Sequence, residues 1–165
     1  MERAKEIVRE WIEKGNEEEY LNLSRLNLNI LPEIPLNVKK LYCDDNQLTS
    51  LPNNLSNIIY LNCNNNQLTH LPDNLQNLQD LQCCYNKLTK LPDNLQNLIK
   101  LNCSYNQLIK LLDNLSNLEY LDCNNNSLTK LPDNLPNLTD LNCSYNKLIK
   151  LPDNLPNLTD LYCKN

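Results

Sequence analysis

"LNCSYNQLIKL", residues 101–111, returns at 141–151 as "LNCSYNKLIKL" with a single change. The same frame is legible at 61–71, "LNCNNNQLTHL", and at 121–131, "LDCNNNSLTKL". A phrase recurring at a fixed period marks one structural unit stacked on copies of itself. The period is 20 residues: Leu41, Leu61, Leu81, Leu101, Leu121, Leu141 and Leu161 share one phase. Two residues on stand Cys43, Cys63, Cys83, Cys103, Cys123, Cys143 and Cys163. Asn46, Asn66, Asn86, Asn106, Asn126 and Asn146 follow, then a leucine two residues later and "LPDNL" or a variant of it. A degenerate first copy keeps Leu21, Leu23 and Leu28 but carries Leu26 in the asparagine phase.

In "YLNCN", 60–64, Leu61 and Cys63 point one way and Tyr60, Asn62 and Asn64 the other, the alternation of a short strand. Strands of this kind are expected from Tyr20, Lys40, Tyr60, Asp80, Lys100, Tyr120, Asp140 and Asp160. One such strand cannot bury its apolar face, whereas stacked neighbours can, so the array reads as a solenoid with a parallel sheet. After each cysteine the chain must turn, leaving backbone N–H and C=O groups facing inward. An asparagine amide offers both donors and an acceptor for them. Asn46, Asn66, Asn86, Asn106, Asn126 and Asn146 are therefore assigned a structural role. The second half of each repeat is short and carries proline, which favours extended segments and single 3₁₀ turns over helices. Asn57, Asn77, Asn97, Asn117, Asn137 and Asn157 are expected to help close those turns.

The cysteines occupy inward strand positions, where a free thiol behaves as a small buried hydrophobe. Disulfides fit less well. Ladder neighbours about 4.8 Å apart keep their Cβ atoms too far from one another for the preferred bridge geometry. Zinc fits less well too, since convergent ligands are normally spaced far more closely than 20 residues. Cys84 stands apart: its phase is outward, which makes it a candidate exposed or reactive thiol.

The termini differ from the middle. Ala4, Ile7, Val8, Trp11 and Ile12 fall on one helical stripe, and Gly15 followed by Asn16 reads as a helix stop. Residues 1–17 are expected to form a capping helix, and 18–165 a solenoid of one degenerate repeat, six regular repeats and one partial repeat. The chain stops mid-repeat at "LYCKN", 161–165, leaving a strand edge open to self-association.

Composition narrows the function classes. The net charge of −5 disfavours nucleic-acid or anionic-membrane surfaces. No apolar run is long enough to span a bilayer. "MERAKEIVREW" is too charged to be a secretory leader, so the cytoplasm is the expected compartment. No catalytic set converges: His70 is the only histidine, in a loop, and there is no glycine-rich phosphate loop. The rows Asp73, Asp93, Asp113, Asp133, Asp153 and Lys90, Lys110, Lys130, Lys150 read as solvated faces. Catalytic, cofactor and metal residues are all expected to be none.

The segment LxxLxCxxNxL, as in "LIKLNCSYNQL" at 98–108, resembles the leucine-rich-repeat signature over about 145 residues. The 20-residue period with "LP" after each segment is similar to the short bacterial-effector type. The asparagine-rich wording resembles leucine-rich-repeat proteins of giant, mimivirus-like amoeba viruses. That resemblance implies a curved stack with a parallel β-sheet on its concave side, an extended/3₁₀ convex side and an N-terminal α-helical cap. It also implies a non-enzymatic module that binds a protein on the concave face, in the host-cell cytoplasm if viral or an effector. The alternative is the substrate-recognition part of a larger effector enzyme such as a ubiquitin ligase. On the outward positions, Tyr60, Asp80, Lys100, Tyr120 and Asp122, with Tyr85, Tyr105 and Tyr145 beyond the strand ends, are the candidate partner-binding residues. Tyrosine is enriched in interface hot spots.

Overall fold

A computed structural model describes residues 1–15 and 20–164. Helix α1, Glu2–Lys14, is followed by strands β1 Leu21–Asn22, β2 Lys40–Tyr42, β3 Tyr60–Asn62 and β4 Asp80–Gln82. The series continues with β5 Lys100–Asn102, β6 Tyr120–Asp122, β7 Asp140–Asn142 and β8 Asp160–Tyr162. Each strand pairs in parallel with the next, in chain order, to give one eight-stranded sheet. The register is the sequence period: Leu61 pairs with Leu81, Leu81 with Leu101 and Leu101 with Leu121. The inward leucines and cysteines stack with the leucines of the return segments into one continuous buried core.

The strands are shorter than the alternation predicts, three residues in β2 to β8 instead of five. Backbone pairing runs on past them, with Cys63 N–H donating to Gln82 O at 2.8 Å and Asn65 N–H to Cys84 O at 3.0 Å. Alternation ends because the next residue adopts left-handed backbone: Asp45, Asn65, Tyr85, Tyr105, Asn125 and Tyr145 have φ between 52° and 54°. Asparagine and aspartate tolerate this conformation, but tyrosine is an unusual occupant. The far side of each repeat returns through a single i→i+3 turn, such as Leu78 N–H to Leu75 O at 3.0 Å and Leu98 N–H to Leu95 O at 3.1 Å. No helix forms there among the described residues.

At the start of the stack, α1 buries Ala4, Val8 and Trp11 in the same core, with Ile7 partly covered. Ile12, placed on this stripe by its spacing, is instead 55% exposed. The buried set at i, i+4 and i+7 is narrow, and Ile12 lies just beyond its edge. Gly15 ends the helix at φ 61°, its N–H donating to Ile12 O at 3.1 Å. Asn16 and the boundary drawn at 17/18 lie outside the described residues. At the other end, β8 has only β7 as a neighbour in the described sheet, and its Leu161 is 42% exposed where the equivalent leucines are buried.

A candidate protein-interaction face

The strand residues that point away from the core form two rows across the sheet. Tyr60, Asp80, Lys100 and Tyr120 are register partners in one row, and Asp122 sits in the other between Asn102 and Asn142. Tyr85, Tyr105 and Tyr145 make a third row on the left-handed turns just beyond the strands. These turns stay in register because their backbones are hydrogen-bonded from turn to turn. Tyr85 N–H donates to Ser104 O at 3.1 Å, Tyr105 N–H to Asn124 O at 3.0 Å and Asn125 N–H to Ser144 O at 3.0 Å.

The register brings some of these side chains together. The Tyr85 and Tyr105 rings stack with centroids 4.2 Å apart and planes within 10°. They remain 50% and 43% exposed, so each presents an open aromatic surface. Tyr60 is half-buried because it packs on Tyr42 at 4.9 Å, and Tyr42 packs in turn on Tyr20 at 5.1 Å. That second cluster was not evident from the periods, since Tyr42 lies in the neighbouring row and meets Tyr20 and Tyr60 diagonally. Tyr120 is partly exposed and Tyr145 is 56% exposed. Asp80 accepts from Gln82 Nε2 at 2.7 Å, and Asp122 accepts from the Asn124 backbone N–H at 3.2 Å. Lys100 is exposed between them.

Three of these phenols, Tyr60, Tyr85 and Tyr120, are held above their ordinary value. Burial raises Tyr60, with the Tyr42 hydroxyl and nearby carboxylates adding to the shift. Burial and then Asp122 raise Tyr120. The hydrogen bond to Tyr105 raises Tyr85. The face therefore offers aromatic area with hydroxyl tips, interspersed with carboxylates and one lysine.

Below the face, the asparagine row holds the turns rigid. Asn106 Nδ2 donates to Cys83 O at 3.0 Å, Cys103 O at 3.1 Å and Ser104 O at 3.1 Å, while its Oδ1 accepts from Leu88 N–H at 2.9 Å. Asn46, Asn66, Asn86, Asn126 and Asn146 repeat the pattern. Each amide thus ties its own turn to the preceding one. The other asparagine row differs from the sequence reading. Asn77 Nδ2 donates to Ser56 O at 2.8 Å, Asn97 to Gln76 O at 2.8 Å and Asn117 to Gln96 O at 3.0 Å. These side chains bridge successive repeats instead of closing their own turn. A further row, including Asn54 to Ile34 O at 2.8 Å and Asn114 to Asp93 O at 3.1 Å, does the same.

Cys84 is not the exposed thiol its phase predicts. It is 9% exposed, because the left-handed turn at Tyr85 cuts the alternation short. Residue 84 is thereby tucked into a row of small side chains in which Ser104, Asn124 and Ser144 are also buried. Burial pushes its thiol up to about 11, away from reactivity. All eight cysteines are free, and Cys163, just past the edge strand, is the exposed one. His70 is exposed, with its Nδ1 3.2 Å from the Thr69 hydroxyl. Asp73, Asp93, Asp113, Asp133 and Asp153 are exposed, and among the described residues no three His, Cys, Asp or Glu side chains are grouped to hold a metal ion. Among the same residues, no helix is long and apolar enough to cross a membrane.

Comparison with known proteins agrees with this geometry. The family model described as Leucine Rich Repeat matches residues 57–78, 77–98, 117–138 and 137–158. No curated protein matches the sequence significantly. Among solved structures, the leucine-rich effector protein YopM from Yersinia pestis superposes with a TM-score of 0.85 at 32% identity, over 98% of this chain and 53% of that one. YopM from Yersinia enterocolitica gives 0.83 at 31% identity, over 99% and 41% of the two chains. The leucine-rich-repeat domain of a Shigella effector gives 0.78 at 27% identity, over 89% and 77%. The chain spans about half the length of the YopM structures it resembles.

Proposed function

The chain belongs to the leucine-rich-repeat family, and from that premise we propose that it is a non-enzymatic module that binds a protein partner on the concave face of its sheet. The observation that carries this reading is the exposed Tyr85–Tyr105 stack, 4.2 Å between centroids, on a scaffold whose inward positions are given over to leucine, cysteine and asparagine. Aromatic side chains held rigid before binding lose little entropy on contact, which is how a few residues come to dominate an interface. Asp80, Lys100, Tyr120 and Asp122 extend the same surface and supply its polar contacts. The likeness to Yersinia and Shigella effectors supports a role inside another organism's cell, in its cytoplasm. A second reading, the recognition part of a larger effector enzyme, draws on the Shigella effector, whose repeats form a domain.

The test is a double substitution against a partner captured with the parent chain. Tyr85→Ala with Tyr105→Ala should weaken that partner by about 2 kcal/mol or more, some thirtyfold, if the stack is a hot spot. Lys110→Ala with Lys130→Ala, in the exposed row beyond the sheet, should change affinity by less than about 1 kcal/mol. Melting curves should show both variants folded. Undiminished binding by the tyrosine variant, or a larger loss from the lysine variant, contradicts the assignment.

A further inference from the structure

A groove of about 780 Å³ runs along the flank of the stack, where the return segments lead into the strands. One wall is the asparagine row Asn57, Asn77, Asn97, Asn117 and Asn137, and the other is Lys39, Ile59, Gln79, Ile99 and Glu119. The residues between the walls, Ile58, Leu78, Leu98 and Leu118, are buried in the core, so both walls stand clear of it. Members of the second wall are joined from repeat to repeat by the backbone. Ile59 N–H donates to Lys39 O at 2.8 Å, Gln79 N–H to Ile59 O at 2.9 Å, Ile99 N–H to Gln79 O at 2.8 Å and Glu119 N–H to Ile99 O at 2.8 Å. These bonds extend the strand ladder, which sets a spacing of about 4.8 Å per repeat. Ile59 and Ile99, both partly exposed, are two repeats apart, about 9.6 Å at that spacing.

The asparagine wall is fixed in place and still has hydrogen bonds to give. Each side chain spends one amide N–H on the preceding repeat, as Asn57 does on Leu36 O at 2.9 Å and Asn137 on Ser116 O at 2.9 Å. The asparagines are exposed, and the second N–H and the oxygen of each have no partner among the described residues. The two walls are two residues apart along the chain, about 6–7 Å, which is too narrow for an α-helix about 10–12 Å across. A β-strand returns to one face about every 6.8 Å, which does not match the isoleucines. A polyproline II helix returns to one face every three residues, about 9.3 Å, which does. Such a segment sets its residues i and i+3 on Ile59 and Ile99. Its backbone carbonyls, which have no internal partner, then meet the asparagine amides.

Lys39 and Glu119 are the charged side chains lining the groove, and they stand at its opposite ends. The four repeats between them span about 19 Å, the length of about six polyproline II residues. Past Glu119 the next strand opens with Asp140, and the one cation in β5 to β7 is Lys100. Lys100 belongs to the concave row, in register between Asp80 and Tyr120. We propose that this groove takes a proline-rich segment of a protein partner in the polyproline II conformation, with aliphatic residues three apart and a basic residue at the Glu119 end. The groove is separate from the stacked tyrosines, so the proposal goes beyond the interaction-face reading and does not rest on it.

The probe is the blocked peptide Pro-Val-Pro-Pro-Val-Pro-Arg, titrated into the full chain and followed by NMR. Its counterpart, Pro-Val-Pro-Val-Pro-Pro-Arg, has the same composition with the valines two apart. The first peptide should shift the side-chain amide signals of Asn77 and Asn97 saturably, and the second should bind about tenfold more weakly. Ile59→Asn with Ile99→Asn should reduce binding of the first peptide at least about tenfold. Glu119→Lys, at an exposed position, should reduce it about two- to fivefold. Tyr85→Ala with Tyr105→Ala should bind the peptide as the parent does. Circular dichroism checks that the variants fold, and if the isoleucine variant does not, Glu119→Lys and the peptide pair decide. No saturable shift, equal affinity for the two peptides, or undiminished binding by the folded groove variants overturns the proposal. Loss of the peptide from the tyrosine variant alone places it on the concave face and overturns the proposal as well.

Discussion

Raising the pH through about 9 to 10.5 should unfold the protein cooperatively, well before the backbone is chemically damaged. The cause is the cysteine row. Seven of the eight thiols are buried, and burial raises each itemised one above its ordinary value of 9.0. Cys84 and Cys143, the least shifted with a stated value, reach about 11. An acid whose folded value is raised stabilises the native state fully below its unfolded value and loses that contribution as the pH climbs toward the folded value. Each buried thiol thus removes up to about 1.4 kcal/mol per pH unit once the solution passes the unfolded value. Seven together remove on the order of 10 kcal/mol over one unit, comparable to the whole stability of an ordinary domain. Far-UV circular dichroism against pH would show the transition. Replacing Cys83 and Cys103 with alanine should make the pH dependence less steep. A spectrum unchanged to pH 11 contradicts thiols buried in a dry core.

Leu101→Ala should cost about 2–5 kcal/mol, as large-to-small changes do in packed interiors. Leu101 is fully buried and lies between Leu81 and Leu121 in adjoining strands, so the cavity weakens two interfaces of a stack in which each repeat contacts only its neighbours. Asn106→Ala should cost roughly 1–3 kcal/mol, because the carbonyls of Cys83, Cys103 and Ser104 and the Leu88 N–H lose a shared partner. Leu161→Ala, at the exposed end of the same leucine row, should cost clearly less than Leu101→Ala. Urea melts of the three variants separate these values, and equal stability of Leu101→Ala and the parent contradicts the stacked core.

What was legible in the sequence is what repeats. The leucine phase gave the strand register directly, because a parallel stack pairs residue i with i+20 and the sequence writes the same residue at both. The asparagine phase could be read as a partner for turn backbone because six amides between apolar neighbours have few other uses. The misplacements arise where backbone conformation or a neighbouring repeat intervenes. Cys84 looked outward by counting in twos, and the left-handed residue after it ended the count. Asn77 and Asn97 looked like local turn-closers, whereas their acceptors, Ser56 and Gln76, are 21 residues back. The Tyr20–Tyr42–Tyr60 cluster runs diagonally across rows and so has no signature in any single phase.

The central claim, that a partner is taken on the open sheet, is tested most directly by hydroxyl-radical footprinting of the complex. Tyr85, Tyr105 and Tyr120 are exposed on the proposed face, and Ile109 and Ile149 are exposed beyond it. Partner binding should protect the three tyrosines from oxidation and leave the two isoleucines labelled as in the free chain. Protection of Ile109 and Ile149 with full labelling of Tyr85 and Tyr105 would place the partner elsewhere on the solenoid and contradict the assignment.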